Sequence, residues 1–157
     1  MSTKDKPFKL NFLNINMEKY VFLEHTADAK FQAFGKNLEE AFANSALAMF
    51  SIVTDPEKVE GKIEKGINVR GKDLKQLLYN FLEEALFFLE TEFFLLHKVK
   101  NLTITKISKE YILKAVFEGD KISKKYEIIE DIKAMTYSEM IIKEEKEKCI
   151  IQVVVDL

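Results

Sequence analysis

The residues best suited to chemistry lie near opposite ends of the chain. Glu24-His25-Thr26-Ala27-Asp28 separates two segments with strand character, Tyr20–Leu23 and Ala29–Phe34, so the chain bends there. Asp28 shares parity with Lys30 and Gln32, while Ala29, Phe31 and Ala33 form the apolar row, which turns Asp28 away from the core. The final run, Cys149–Leu157, repeats the pattern: Cys149, Ile151, Val153, Val155 and Leu157 are apolar, and Asp156 has the other parity. If these strands are neighbours, two carboxylates and the terminal carboxylate converge, a set of hard oxygen donors suited to calcium or another hard divalent cation. The plainer reading is that each Asp ends a strand and binds water. His25 is open to three roles: acid or base, metal ligand, or a strand-end ring bonded to backbone.

The elements that must position these residues follow from periodicity. Gly35 ends the second strand, and Asn37 with Glu40 forms a capping-box pair. Apolar positions at helical spacing then run from about Leu38 to Ile52, until Thr54-Asp55-Pro56 stops them. Odd-numbered apolar residues from Val59 to Val69 predict a half-buried strand ending at Gly71. Asp73 caps a second helix whose broad apolar face, from Leu74 to Leu89, suits packing on a sheet. The remainder reads as strand: Leu102–Ile107, Tyr111–Phe117, Tyr126–Ile129, Met135–Lys143 and Cys149–Asp156. The last two flank the charged turn Glu144–Lys148, which brings Lys133, Thr136 and Tyr137 opposite the C-terminal residues.

The predicted fold is therefore α+β: a two-layer sandwich with a mixed, mostly antiparallel sheet of about six to eight strands. Two long helices cover one face, and the polar parity faces out. Residues 1–16 show no clean period and read as an N-terminal extension. Residues 17–157 read as a single domain, with no internal repeat and no linker.

Composition narrows the function. The chain has 157 residues and 47% hydrophobic content, enough for a real core. Its 24 basic against 26 acidic residues, with Arg70 the sole arginine, disfavour direct and specific RNA reading. Five glycines leave no room for a glycine-rich phosphate loop, and no Cys and His spacing suits zinc. Cys149 alone cannot form an internal disulfide, and its parity makes it a buried small hydrophobe. Phe81–Leu96 is interrupted by Glu83, Glu84, Glu90 and Glu92, too charged for a membrane span. With no signal peptide at Met1–Lys6, the expected location is cytoplasmic. His97, read as the end of helix two, would interact with the helix dipole.

Taken together, Glu24-His25-Thr26-Ala27-Asp28, Gly35, Leu38–Phe42, Asp73-Leu74, Leu77-Leu78, Gly119-Asp120, Lys133-Ala134-Met135-Thr136-Tyr137 and Val153–Leu157 resemble the archease family. The resemblance runs from Met17 to Leu157. It implies an accessory protein of the RtcB-type tRNA-splicing ligase, not itself an enzyme, meeting tRNA only through the ligase. Such a protein promotes transfer of GMP from GTP to the ligase's catalytic histidine and lets the ligase turn over repeatedly. The resemblance makes Asp28 and Asp156 metal-binding acids, with a main-chain oxygen from Leu157. Calcium is the first choice, with manganese or magnesium as alternatives. It also places His25, Lys133 and Tyr137 in a polar pocket that contacts the ligase or its nucleotide.

Two positions depart from the family. Ser138 replaces a common histidine, and Phe81 replaces a usual tryptophan, an exchange within the core. Two other classes remain open on the residues. A free-standing metal-dependent hydrolase would use Asp28, Asp156 and His25. A chaperone-like interaction module would not need the acids at all.

Overall fold

The computed structural model describes residues 18–157, so the extension expected at 1–16 lies outside the described residues. Its strands are β1 (Tyr20–Leu23), β2 (Asp28–Gly35), β3 (Ile63–Gly71), β4 (Phe94–Ile107), β5 (Glu110–Lys121), β6 (Ala134–Met135), β7 (Ile141–Glu145) and β8 (Lys148–Asp156). The helices are α1 (Leu38–Val53) and α2 (Leu74–Glu92), with a short 3-10 turn at Pro56–Lys58. Two helices with eight antiparallel strands bear out the α+β class. The strands divide between two sheets, however. One has the order β1-β2-β8-β6 with β7 also on β8, and the other the order β3-β5-β4. Both helices touch both sheets: α1 lies on β2, β8 and β4, and α2 on β3, β5, β4 and β6. The core lies between, where Phe81 meets Phe42 and Phe117 at ring distances of 6.1 and 5.7 Å.

A repeat that apolar periodicity does not reveal is plain in the hydrogen bonds. Gly35-Lys36-Asn37-Leu38 and Gly71-Lys72-Asp73-Leu74 each join a strand to a helix. Asn37 accepts from the Glu40 amide and Asp73 from the Gln76 amide. In return Glu40 and Gln76 accept from the amides of Lys36 and Lys72. Asn44 donates to the carbonyl of Phe34, and Asn80 to that of Arg70. In both units the glycine is required by close approach. A Cβ on Gly35 would lie 2.4 Å from the Ala41 nitrogen, and one on Gly71 2.5 Å from the Leu77 nitrogen. The expectation of no internal repeat is corrected: β2–α1 and β3–α2 are two copies of one capping and packing scheme.

Other differences have local causes. The strand expected from Val59 starts at Ile63, because Pro56–Lys58 has already turned the chain. Tyr126–Ile129 is no strand, since it serves the end of α1. There the Ile129 amide donates to Val53 and the Thr54 hydroxyl donates to Glu127. Helix α2 stops at Glu92, where Phe93 takes a left-handed φ of 56°. His97 therefore sits in β4, with Nδ1 2.9 Å from the Pro56 carbonyl rather than at a helix end. Met135–Lys143 is not one strand but two short ones, parted by the turn Tyr137–Met140. Nor does the polar parity of the first sheet face out, as Lys30, Gln32 and Gln152 are 5, 6 and 4% exposed. No described helix is long and apolar enough to cross a membrane.

Glycine substitutions test this packing. A Cβ on Gly119 would fall 1.9 Å from the Leu95 carbonyl oxygen, whereas one on Gly66 meets nothing within 4 Å. Gly119→Ala should cost about 2–3 kcal/mol, and Gly66→Ala should be neutral or gain about 0.5 kcal/mol, both read from urea midpoints. Cys149 is 1% exposed, and burial pushes its thiol up to about 12. A thiol reagent at neutral pH should label it only on unfolding.

Candidate functional site

The site begins with the pairing of β2 and β8. Asp28, the first residue of β2, is the direct cross-strand partner of Asp156, the last of β8. The bend before it is closed by Ala27 at φ 64°, a left-handed conformation that costs a non-glycine residue about 1–2 kcal/mol. Opposed residues in an antiparallel ladder have Cα atoms about 4.5–5.5 Å apart, and like charges so placed repel. The Asp28 side chain is 29% exposed and Asp156 is exposed. On the far side of β8, Ala134 pairs with Asp156, and the Lys133 amide donates to the Asp156 carbonyl at 2.8 Å. Leu157 follows directly, half-buried against the core.

His25 and Glu139 border the acids. His25 Nε2 lies 3.0 Å from Glu139 Oε2, while its Nδ1 is 3.7 Å from Asp28 Oδ2 and has no hydrogen-bond partner. The other Glu139 oxygen accepts from the buried Lys30 ammonium at 3.0 Å. These two bonds, with the Lys30 charge, hold the Glu139 carboxyl down to about 2. The same residue's main-chain carbonyl accepts from Gln152, which in turn accepts from Gln32 at 2.9 Å. Glu139 was not among the expected site residues. It sits at φ 52° in the turn that splits the expected strand, and only that turn carries it to His25. Lys30 was likewise missed, although its parity with Asp28 placed it on the right face.

Tyr137 goes elsewhere. Its ring stacks on Tyr79 of α2, with centroids 4.3 Å apart and planes within 7°. The structure thus unites His25, Asp28, Asp156 and the backbone of Lys133, and turns the Tyr137 ring towards α2. Ser138 is exposed, and its amide donates to the Thr136 hydroxyl.

Whether the acids suit a cation can be judged from the fold's own duplicate. Counting back from Gly71 as from Gly35, the position of Asp28 corresponds to Glu64, and Glu64 faces Glu118 just as Asp28 faces Asp156. In the second sheet Lys100 neutralises both carboxylates, at 2.5 Å from Glu64 and 3.2 Å from Glu118. Among the described residues, no lysine or arginine pairs with Asp28 or Asp156. Asp28 and Asp156 thus offer carboxylate oxygens with no lysine or arginine paired to them, the donor type that hard divalent cations take. Among the described residues no group of three or more His, Cys, Asp or Glu side chains is placed to hold a metal ion.

The two acid pairs should respond oppositely to substitution. Without divalent cation and at low salt, Asp28→Asn should leave the melting temperature unchanged or raise it by about 2 °C, while Lys100→Met should lower it by a similar amount. Glu139 gives a pH signature. Its folded carboxyl lies below the ordinary 4.5, so its bonds to His25 and Lys30 stabilise the turn fully above about pH 4.5. That contribution should fade as pH falls towards 2, visible as a carbon-detected Glu139 titration near 2.

The profile of the Archease protein family matches residues 20–157. The Protein archease of Methanosarcina mazei is 38% identical over 141 residues, covering 89% of this chain and 97% of that one. Its counterpart in Sulfolobus acidocaldarius is 37% identical over 142 residues, covering 90% and 100%. The solution structure of Methanobacterium thermoautotrophicum Protein 1598 superposes with a TM-score of 0.78 at 35% identity, over 90% of this chain and all of that one. A crystal structure from Thermotoga maritima, described as an archease and possible chaperone, shares the fold at a TM-score of 0.55 and 20% identity, covering 86% and 94%. The chain belongs to the archease family.

Proposed function

We propose that this protein is a cytoplasmic, non-enzymatic activator of an RtcB-type RNA-splicing ligase, acting through an acidic tip that holds a divalent cation. Family membership supports the class, and the observation that carries the reading is the opposed, unneutralised pair Asp28 and Asp156. Asp28, Asp156 and the main-chain oxygen of Leu157 would hold calcium, or manganese or magnesium in its place. A cation bound there supplies positive charge to phosphate oxygens, the chief need in phosphoryl transfer.

The chain's own residues do the positioning. The β2–β8 ladder fixes the spacing of the acids, and the Lys133 amide orients the Asp156 backbone through its bond to the carbonyl. Glu139 holds the His25 ring with Nδ1 towards Asp28. The tip lies at strand ends, where it can enter the ligase site and favour transfer of GMP from GTP to the ligase's histidine. His25 and Lys133 then meet the ligase or its nucleotide, and tRNA is met only through the ligase.

The test is the rate of guanylylation of a purified partner ligase with GTP and divalent metal, using catalytic amounts of this protein. The wild type should accelerate the reaction. Asp28→Asn and Asp156→Asn should each lose most of that acceleration, on the order of tenfold to a hundredfold, comparable to losses at disturbed metal sites. Calcium at about 100 times its dissociation constant should stabilise the wild type by about 2.7 kcal/mol, and neither variant should respond. Full activity after removal of both acids would favour the interaction-module reading. Turnover of a phosphoester by this protein alone would favour the hydrolase.

A further inference from the structure

The outward stripe of α2 is unlike the rest of that helix. Tyr79, Glu83, Phe87 and Glu90 follow one another at helical spacing, and Phe87 is 51% exposed. The Tyr137 ring, 50% exposed, lies flat on Tyr79 and extends this aromatic surface beyond the helix. Beside it Val69, Arg70, Asn80, Glu83, Glu84 and Phe87 line an open groove of about 400 Å³.

The charges around these rings are negative. Glu83 and Asp73 act on the Tyr137 phenol, and Glu83 also faces Tyr79. Arg70 is committed to Glu110 at 3.0 Å, and neither Glu83 nor Glu84 forms an ion pair among the described residues. Aromatic faces flanked by carboxylates that no cationic side chain neutralises attract cations and repel phosphate. A guanidinium suits them best, because it stacks flat on a ring while donating two bonds to one carboxylate. A second copy of this chain has no free guanidinium to offer, since its sole arginine, Arg70, already lies in the groove.

We propose that the Tyr137–Tyr79 stack and the Glu83–Phe87 groove form a docking surface for an arginine-bearing segment of a partner protein. This deepens the reading above, from which only the identity of the partner as the ligase is taken. It assigns Tyr137 to protein contact rather than nucleotide contact. The acidic tip and this surface then hold one partner at two places: the surface supplies affinity, and the tip supplies activation.

The probe is a helical peptide with arginine at every fourth position, titrated into the full chain and followed through the ring resonances of Tyr79, Tyr137 and Phe87. Saturable shifts of these rings are expected, with affinity falling about tenfold in Glu83→Gln/Glu84→Gln, in Tyr137→Leu and at raised salt. The first variant is isosteric and removes only charge, at one exposed and one half-buried position that carry no ion pair among the described residues, so it keeps the fold. A peptide with citrulline for arginine should bind far more weakly. Absence of saturation, equal binding of the citrulline peptide, or shifts of the same rings by GMP would each overturn the proposal. So would sedimentation as a dimer with these rings covered.

Binding to the purified ligase separates the two readings. Glu83→Gln/Glu84→Gln should weaken binding about tenfold, whereas Asp28→Asn should retain binding and lose activation. If the arginine peptide binds and the ligase does not, the docking surface stands and the ligase reading fails.

Discussion

The β2–β8 ladder is the constraint on which the rest depends. It joins the chain's beginning to its end in one unbroken register, from Asp28 opposite Asp156 to Gly35 opposite Cys149. Its inner face puts Phe31 and Ala33 into the core with Ile151, Val153 and Val155. A slip of one residue would exchange the faces, taking that row out of the core and turning Lys30, Gln32 and Gln152 into it. The outer face resists the slip as well, since Gln32 and Gln152 are paired in the ladder and joined by a side-chain hydrogen bond. The opposition of the two carboxylates is thus a by-product of core packing. Its cost in repulsion falls on a ladder strong enough to carry it.

A turn of four residues then converts this ladder into a site. Tyr137–Met140 interrupts what would have been a continuous strand, and Glu139 takes a left-handed conformation within it. From that one residue the carbonyl reaches Gln152, and the carboxylate reaches Lys30 and His25. Burying the Lys30 ammonium without a partner would be costly, and Glu139 supplies the partner. The same turn throws Tyr137 to the other side, onto α2. Acidic tip and aromatic stripe are therefore linked by adjacent residues of one short segment, and a partner that grips the stripe also fixes the turn that holds His25.

What could be read from the sequence was whatever depends on period or on local capping. Strand parity placed Asp28 and Asp156 on one face, and Asn37 and Asp73 stood out as caps because their partners lie three residues on. The facing of the acids could be read only on the condition that the two strands are neighbours, a pairing that the structure supplies. Glu139 was not legible, because nothing in Tyr137-Ser138-Glu139-Met140 announces a positive φ, and the β-prone residues on either side of it read as one strand. Burial of Lys30 was hidden for a related reason, since polar parity on a strand ordinarily means solvent. The division into two sheets depends on which strands find each other across the core. Periodicity within each strand says nothing about that.

The duplicated β–α scheme explains why the site is where it is. In each copy the strand leading to the glycine and cap pairs with a later strand, and in each an acid faces an acid. The difference lies in the third strand. Beside β5 runs β4, long enough to carry Lys100 over both Glu64 and Glu118. Beside β8 runs β6, two residues long. Counting from the pairs Lys98–Glu118 and Ala134–Asp156, the position of Lys100 falls to Thr136, whose hydroxyl donates to the Val154 carbonyl. A short hydroxyl in place of a lysine leaves the carboxylates of the first sheet without an internal cation. The same local geometry is therefore structural in one half of the molecule. In the other half it is the place where the proposed cation would sit, at the end of the sheet beside the turn of Glu139.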